Sequence, residues 1–264
     1  MKNSSEIIEN KNYEKYSNNN IGNRFFPNDG VILTITDVSR MKGDKVCIFG
    51  FDSELNHIRP IIPYKNVHER YLFDIEGNRV VKPFAKIEFD LIRPYPISPH
   101  TEDYLLNPCS KPVLKGSLNE KESRNFIESI IDPDISSIFG TKIIKNQYIL
   151  KNHGNRSIGT IKAKKVNRIK FIKWKKQHRI LFSDLSGEEY DLPITDCAFH
   201  KYFNTHLDRN LNPEKLNFHV EYLLNKSLLY LRIGLSRIIG EYKNHYLLVT
   251  GIYSYPDYKK QIIP

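Results

Sequence analysis

The chain has 264 residues, 40% of them hydrophobic, so it can bury a core, and global disorder is excluded. No apolar run reaches the ~20 residues that a membrane-crossing helix needs. A formal net charge of +10 with an isoelectric point near 9.3 points to an anionic partner and says nothing about fold. Residues 1–28 are polar, rich in Asn, Lys and Glu, and lack the apolar segment of a secretory signal, so they read as a flexible leader. Residues 31–40 (VILTITDVSR) are β-branched and alternating, which predicts a strand. A turn at Gly43 leads to two further strands, 45–51 and 56–62, closed by Pro60 and Pro63. A short element or loop at 71–77 and a strand region at 80–92 follow, and the prolines within 93–99 end regular structure.

A helix is predicted after Ser117 or Asn119, with Phe126, Ile127, Ile130 and Ile131 on one face and Asp132-Pro133 as its stop. Residues 140–154 read as a polar link. A second strand-rich block runs from 157 to 193, with a hairpin turn at Asp184-Leu-Ser-Gly187. Residues 198–203 fit a short helical turn, and Asn212-Pro213 opens a helix reaching Leu224. Strands are expected at 228–233 and 246–253, with 234–244 as a loop crossing an open face. The division is therefore a leader at 1–28, a first β module with its helix at 29–140, and a strongly basic second β module at 141–264. Thr34-Ile-Thr-Asp37 and Pro193-Ile-Thr-Asp196 form a short echo between the modules, and Asp37 and Asp196 are expected to accept backbone N–H bonds at strand ends.

The charge is concentrated. Between residues 135 and 183 there is no Asp or Glu, yet the stretch carries thirteen Lys and Arg. Among them, Arg156, Lys162, Lys164, Lys165 and Arg168 are followed by Lys170, Lys173 and Lys175, and the apolar residues Val166, Ile169 and Phe171 alternate with them. That pattern predicts strands with one buried and one cationic face. Trp174, the single tryptophan, is either a core residue or a platform on which bases stack. Arg232 and Arg237 flank Gly234. With Leu231 and Ile233 facing the core, Arg232 is expected to point outward, where a guanidinium suits phosphate; a salt bridge is the plainer alternative. Tyr253 and Tyr255 share a strand face, where core packing is favoured over stacking.

Catalytic patterns are sparse. Cys47, Cys109 and Cys197 are widely spaced and odd in number, and read as buried structural thiols in a reducing, cytoplasmic setting. No paired Cys or His spacing suits zinc, and Gly154-Asn-Arg-Ser-Ile-Gly159 lacks the lysine of a nucleotide-binding loop, so no metal or cofactor is expected. His100, Glu102 and Asp103 form the one cluster with acid–base potential. Capping of a turn is its favoured reading, and a metal-dependent nuclease the sharper one.

Seven strings taken in order carry a resemblance: Ile35-Thr-Asp-Val-Ser-Arg-Met-Lys-Gly43, Val46-Cys-Ile with His57-Ile-Arg-Pro60, Pro99-His-Thr-Glu-Asp103, Ser157-Ile-Gly-Thr-Ile161, Leu192-Pro-Ile-Thr-Asp196, Leu231-Arg-Ile-Gly-Leu-Ser-Arg237 and Gly251-Ile-Tyr-Ser-Tyr-Pro-Asp-Tyr258. As a set they resemble the dual-OB-containing domain family of prokaryotes, over roughly residues 31–258. The resemblance implies an α+β, mainly β fold with two tandem OB-like small β-barrels and short companion helices. It also implies a nucleic-acid ligand, in a genome-defence or mobile-element setting, and carries no catalytic residue across. The expectation is a non-catalytic protein holding single-stranded or structured DNA or RNA. Its rivals are an interaction subunit docking a helicase or nuclease, told apart by salt-sensitive oligonucleotide binding of the isolated chain, and the nuclease, told apart by divalent-dependent cleavage.

Overall fold

The computed structural model describes residues 30–62, 66–207, 211–238 and 243–261; the polar leader placed at 1–28 lies outside them. The first module starts with β1 (Val31–Arg40), β2 (Lys45–Phe51) and β3 (His57–Ile61), an antiparallel run at the predicted boundaries. The short β4 (Val67–His68) pairs with β2, and a single 3-10 turn, Glu69–Leu72, occupies the crossover. β5 (Ala85–Phe89) returns antiparallel to β1, and β6 (Leu91–Pro94) continues beyond Asp90. β7 (Asp103–Leu106) pairs with β6 and runs parallel to β3, and β8 (Val113–Ser117) pairs with β5, so the sheet curls round on itself. Leu33, Ile35, Ile48, Ile58, Ile87 and Leu91 fill its interior.

Two helices connect the modules. α1 (Glu120–Ser129) is capped by Asn119, whose side chain accepts from the Glu122 N–H while the Glu122 carboxylate accepts from the Asn119 N–H. α2 (Ile135–Phe139) is capped by Asp134 and ends at Gly140 with φ 61°, a left-handed conformation that glycine adopts without cost. Ile135, Ile138 and Phe139 pack with the second module's core, although the sequence division at residue 140 counts them with the first. β9 (Tyr148–Leu150) lies in the segment read as a polar link; at three residues it is too short for periodicity to reveal.

The second module repeats the plan with longer parts. β10 (Ile158–Ile172), β11 (Gln177–Asp184) and β12 (Glu189–Pro193) run antiparallel. α3 (Cys197–Leu207) and α4 (Pro213–Asn225) fill the crossover, and β13 (Leu228–Leu235) returns to pair with β10. β14 (Asn244–Tyr255) pairs with β13, and a parallel bridge from Val249 to Ile194 links it to the end of β12. Three strands, a crossover, then a fourth strand on the first and a fifth parallel to the third: both modules share this order.

The barrels stand against each other. β13 is buried along nearly its whole length because Leu229, Leu231, Ile233 and Leu235 face its own core while Tyr230, Arg232 and Gly234 face the first module. The Arg40 N–H donates to the Thr195 carbonyl at 2.8 Å, and Ser39 bridges to Asp196. The Tyr253 hydroxyl donates to the Thr36 carbonyl, its ring 4.8 Å from that of Phe84, so Tyr253 packs in the seam. Phe126 of α1 packs on Phe51 at 5.6 Å, and Ile127 joins Tyr230 and Tyr253, so the companion helix wedges between the barrels. The Thr-Asp echo falls on the first strand of one barrel and after the third strand of the other, which are not equivalent positions. Of the thiols expected to be buried, Cys109 is exposed, in a turn where its N–H donates to the Asn107 side chain, and Cys47 and Cys197 are half-buried.

Candidate nucleic-acid interface

The long strand β10 serves two neighbours. Residues 158–162 pair with β13 and residues 163–172 with β11, and register shifts at 163–165 and 166–168 mark the bends between them. Where β10 leaves β13, α4 supplies the missing partners: the Asn225 side chain accepts from the Val166 N–H and donates to its carbonyl, and Glu221 accepts from the Ile169 N–H. Held in this way, Val166 and Ile169 face inward against Phe182 and Ile180, and their outward neighbours form rows across the sheet: Lys165 beside Ser183, Arg168 beside Leu181, Lys170 beside Arg179.

The acid-free stretch is not free of acids in space, because sheet neighbours come from remote sequence. Asp191 on β12 pairs with Lys170 Nζ at 2.6 Å and Arg179 Nε at 2.9 Å, Glu189 accepts from Asn167, and Arg156 pairs with Asp132. Burial works to raise the Asp191 carboxyl, but hydrogen bonds from Lys170 and Arg179 outweigh it and hold it below the usual carboxylate range. Lys164, Lys165 and Arg168 are exposed and make no ion pair among the described residues.

The β10–β11 turn is a 3-10 turn at Lys173–Lys175. Trp174 stands 80% exposed on it, with the Lys175 ammonium 4.5 Å from the ring centroid. The core alternative for Trp174 is therefore overturned: a tight turn at the barrel's end leaves no interior for a bulky ring. The side chain of Lys173 lies outside the described residues. Next to the turn is a groove of about 600 Å³, lined by Lys175, Gln177, Arg179, Arg237 and Tyr246. Tyr246 packs against Tyr148 of β9 at 5.5 Å. Lys170 reaches this groove through Asp191; Lys165 and Arg168 extend the same face away from it.

Three predicted site residues stand elsewhere. Arg232 is 0% exposed and does not point outward: its Nε donates to Asp37 at 2.8 Å and its Nη1 to Thr160 at 2.7 Å, with the Phe49 and Phe51 rings over the guanidinium. The outer side of β13 meets the other barrel instead of water. Asp37 accordingly sits inside β1 at a bulge, accepting from Arg232, Thr250 and Thr36, and caps no strand end. Asp196 does accept two backbone N–H groups, from Ala198 and Ile252, and burial raises its carboxyl to about 6. Arg156 is tied to Asp132 and the Ile138 carbonyl, and Lys162 lies beside buried Tyr230 on the α1 side. The sequence counted Arg179 in the charge but not in the site; its place two residues after Gln177 in an alternating strand was the available signal.

His100, Glu102 and Asp103 cap nothing. They surround Arg59, which donates to Asp103 at 2.8 Å, to His100 Nδ1 at 2.9 Å and to Glu102, while Ser157 donates to Glu102 and Arg237 reaches Asp103 at 2.6 Å. Burial first, then Arg59 and Arg237, push the His100 imidazole well below its ordinary value. Among the described residues no three His, Cys, Asp or Glu side chains are placed to hold a metal.

The two matching strand orders give a profile comparison its structural meaning: the dual OB-containing domain matches residues 31–252. The chain belongs to that family. In this dual OB protein, β10 to β14 are the five strands of the second barrel, with α3 and α4 between the third and fourth, and β1 to β8 make the first barrel. No curated protein matches the chain. No helix of the described residues is long and apolar enough to cross a membrane.

Proposed function

We propose that this dual OB protein holds a single strand of nucleic acid, DNA or RNA, in the groove of its second barrel and performs no chemistry on it. OB barrels bind oligonucleotides on the face of their second and third strands, between the loops that join strands one and two and strands four and five. Here that face is β11 and β12, the first loop carries Trp174 and Lys175, and the second carries Arg237. The observation that carries the reading is the exposed Trp174 ring beside Lys175 at the rim of a groove with two arginines and Tyr246. A base stacks on such a ring while Lys175, which has no ion pair among the described residues, neutralises a phosphate; Arg179 and Arg237 hold Asp191 and Asp103 beside it. Engagement of Glu102 and Asp103 by arginines supports the absence of a nuclease centre. The prokaryotic defence setting rests on the family resemblance alone, and the cytoplasmic one on three widely spaced, unpaired cysteines.

A second reading, docking of a helicase or nuclease, is favoured by one observation: Phe218 and Tyr222, one helical turn apart on α4, are 71% and 54% exposed. The test uses the single tryptophan. Titration with a single-stranded oligonucleotide is expected to quench its fluorescence, with log affinity falling by about 0.7 per log salt for each phosphate neutralised. Trp174→Ala is expected to weaken binding by about 1–3 kcal/mol with melting unchanged. Binding without quenching, or no binding at ~50 mM salt, overturns the reading.

A further inference from the structure

A second cleft, of about 320 Å³, opens between the barrels and shares Ser236, Arg237 and Leu248 with the groove. One wall is the second- and third-strand face of the first barrel, with Val46, Phe49 and Ile61. The other comes from the second barrel, with Ile158, Leu235 and Leu248. Its volume is at the small end of ligand pockets, and a place between two domains that sets apolar side chains beside polar and charged ones is where such pockets form.

The charges lining it are unevenly matched. Asp103 has one oxygen on Arg59 and the other on Arg237, and Asp37 has one on Thr250 and the other on Arg232, so both carboxylates are saturated. Arg40 is exposed and lines the cleft too, and the one hydrogen-bond partner of its guanidinium among the described residues is the His200 ring at 3.4 Å. That imidazole donates its other N–H to the Ile194 carbonyl, and burial, then Arg40, lowers its proton affinity, so it brings no negative charge. A cation without an anion therefore stands beside an apolar slot.

We propose that the cleft takes one nucleotide unit, its base between the apolar walls and its phosphate on Arg40. This rests on the groove reading, because continuity through Arg237 is what brings a strand to the cleft. The same chemistry is offered by a free nucleoside monophosphate and by the phosphorylated end of a bound strand.

The test uses the full chain. Equilibrium dialysis measures labelled adenosine monophosphate and adenosine, and anisotropy compares one oligonucleotide with and without a terminal phosphate. The expected result is binding of the monophosphate, or tighter binding of the phosphorylated strand, by about tenfold over its phosphate-free counterpart, as one charge-assisted contact supplies. Arg40→Ala, at an exposed position, is expected to abolish that difference, and Ile61→Trp to fill the slot and abolish binding in it. A free-nucleotide site shows in the dialysis arm, a strand-end site in the anisotropy arm. If neither arm depends on phosphate, or if Arg40→Ala changes nothing, the cleft assignment is wrong. Oligonucleotide binding that persists with Trp174 quenching then leaves the groove reading standing, whereas its loss removes that reading separately.

Discussion

Arg232 shows how one side chain changes meaning with its surroundings. Its guanidinium lies against the Phe49 and Phe51 rings with Asp37 on Nε and Thr160 on Nη1, and its Nη2 has no hydrogen-bond partner among the described residues. Removing it leaves the Asp37 carboxylate buried without a counter-charge. Breaking a buried pair from one side costs about 3–5 kcal/mol. Arg232→Ala is therefore expected to lower the unfolding free energy by that amount in chemical denaturation, whereas a variant defective only in nucleic-acid binding would melt normally. Replacing both partners, as Asp37→Asn with Arg232→Met, is expected to recover part of the loss, because no lone charge remains. Its location at the seam means that the same variants loosen one barrel from the other.

At the scale of elements, β10 carries most of what can be learned. Its alternation of Val166, Ile169 and the cations was legible, as were the boundaries of β1 and β2 and the Asn212-Pro213 start of α4. What alternation could not reveal was which acids sit across the ladder. Asp191 is twelve residues past Arg179 in the chain yet bonded to it. Lys165 and Arg168 are thus the better probes of the cationic face than Lys170, which already has an anion. Reversing both to Glu is expected to leave melting within about 0.5 kcal/mol of wild type, since surface changes away from caps and cores act weakly. The salt slope of oligonucleotide binding is expected to fall by about 1.4, from ~0.7 for each of two phosphates. An unchanged slope with normal melting would confine the strand to the Trp174 groove. The register shifts within β10 also explain why its outward positions do not follow strict alternation, so Lys164 sits at an irregularity and outside the row.

For the whole molecule, the seam sets the response to acid. Burial, with Arg232 and Arg156 adding repulsion, lowers the His57 imidazole to about 4, and burial with His200 and Arg40 lowers His178 to about 3. His100 and His200 are lowered as well, burial first in each. In the unfolded chain these rings take up protons near pH 6.5. The folded state resists protonation, so its stability is full above about pH 6.5 and declines as pH falls toward 4. Asp196 acts in the opposite sense, because its raised carboxyl binds a proton more readily folded than unfolded, but it is one group against several. Denaturation midpoints measured from pH 7 to 4 are expected to fall steadily; a rise over that window would show that the histidines are not the governing groups.

The strand-rich character, the positions of most strands and two of the helices, and the basic bias of the second module are local properties of the chain. Branched and apolar residues at period two, caps and prolines act over a few neighbours, so the amino-acid order alone determines them. The pairing of the two barrels was decided only by tertiary structure. Docking turned the outer side of β13 into an interior and buried Arg232 against Asp37, while the parallel pairing of β3 with β7 within the first barrel drew His100, Glu102 and Asp103 round Arg59. It also brought Arg237 to where the groove and the cleft meet. Such contacts join residues far apart in the chain, and no periodicity records them, because whether a charged side chain meets water or another charge depends on what folds against it.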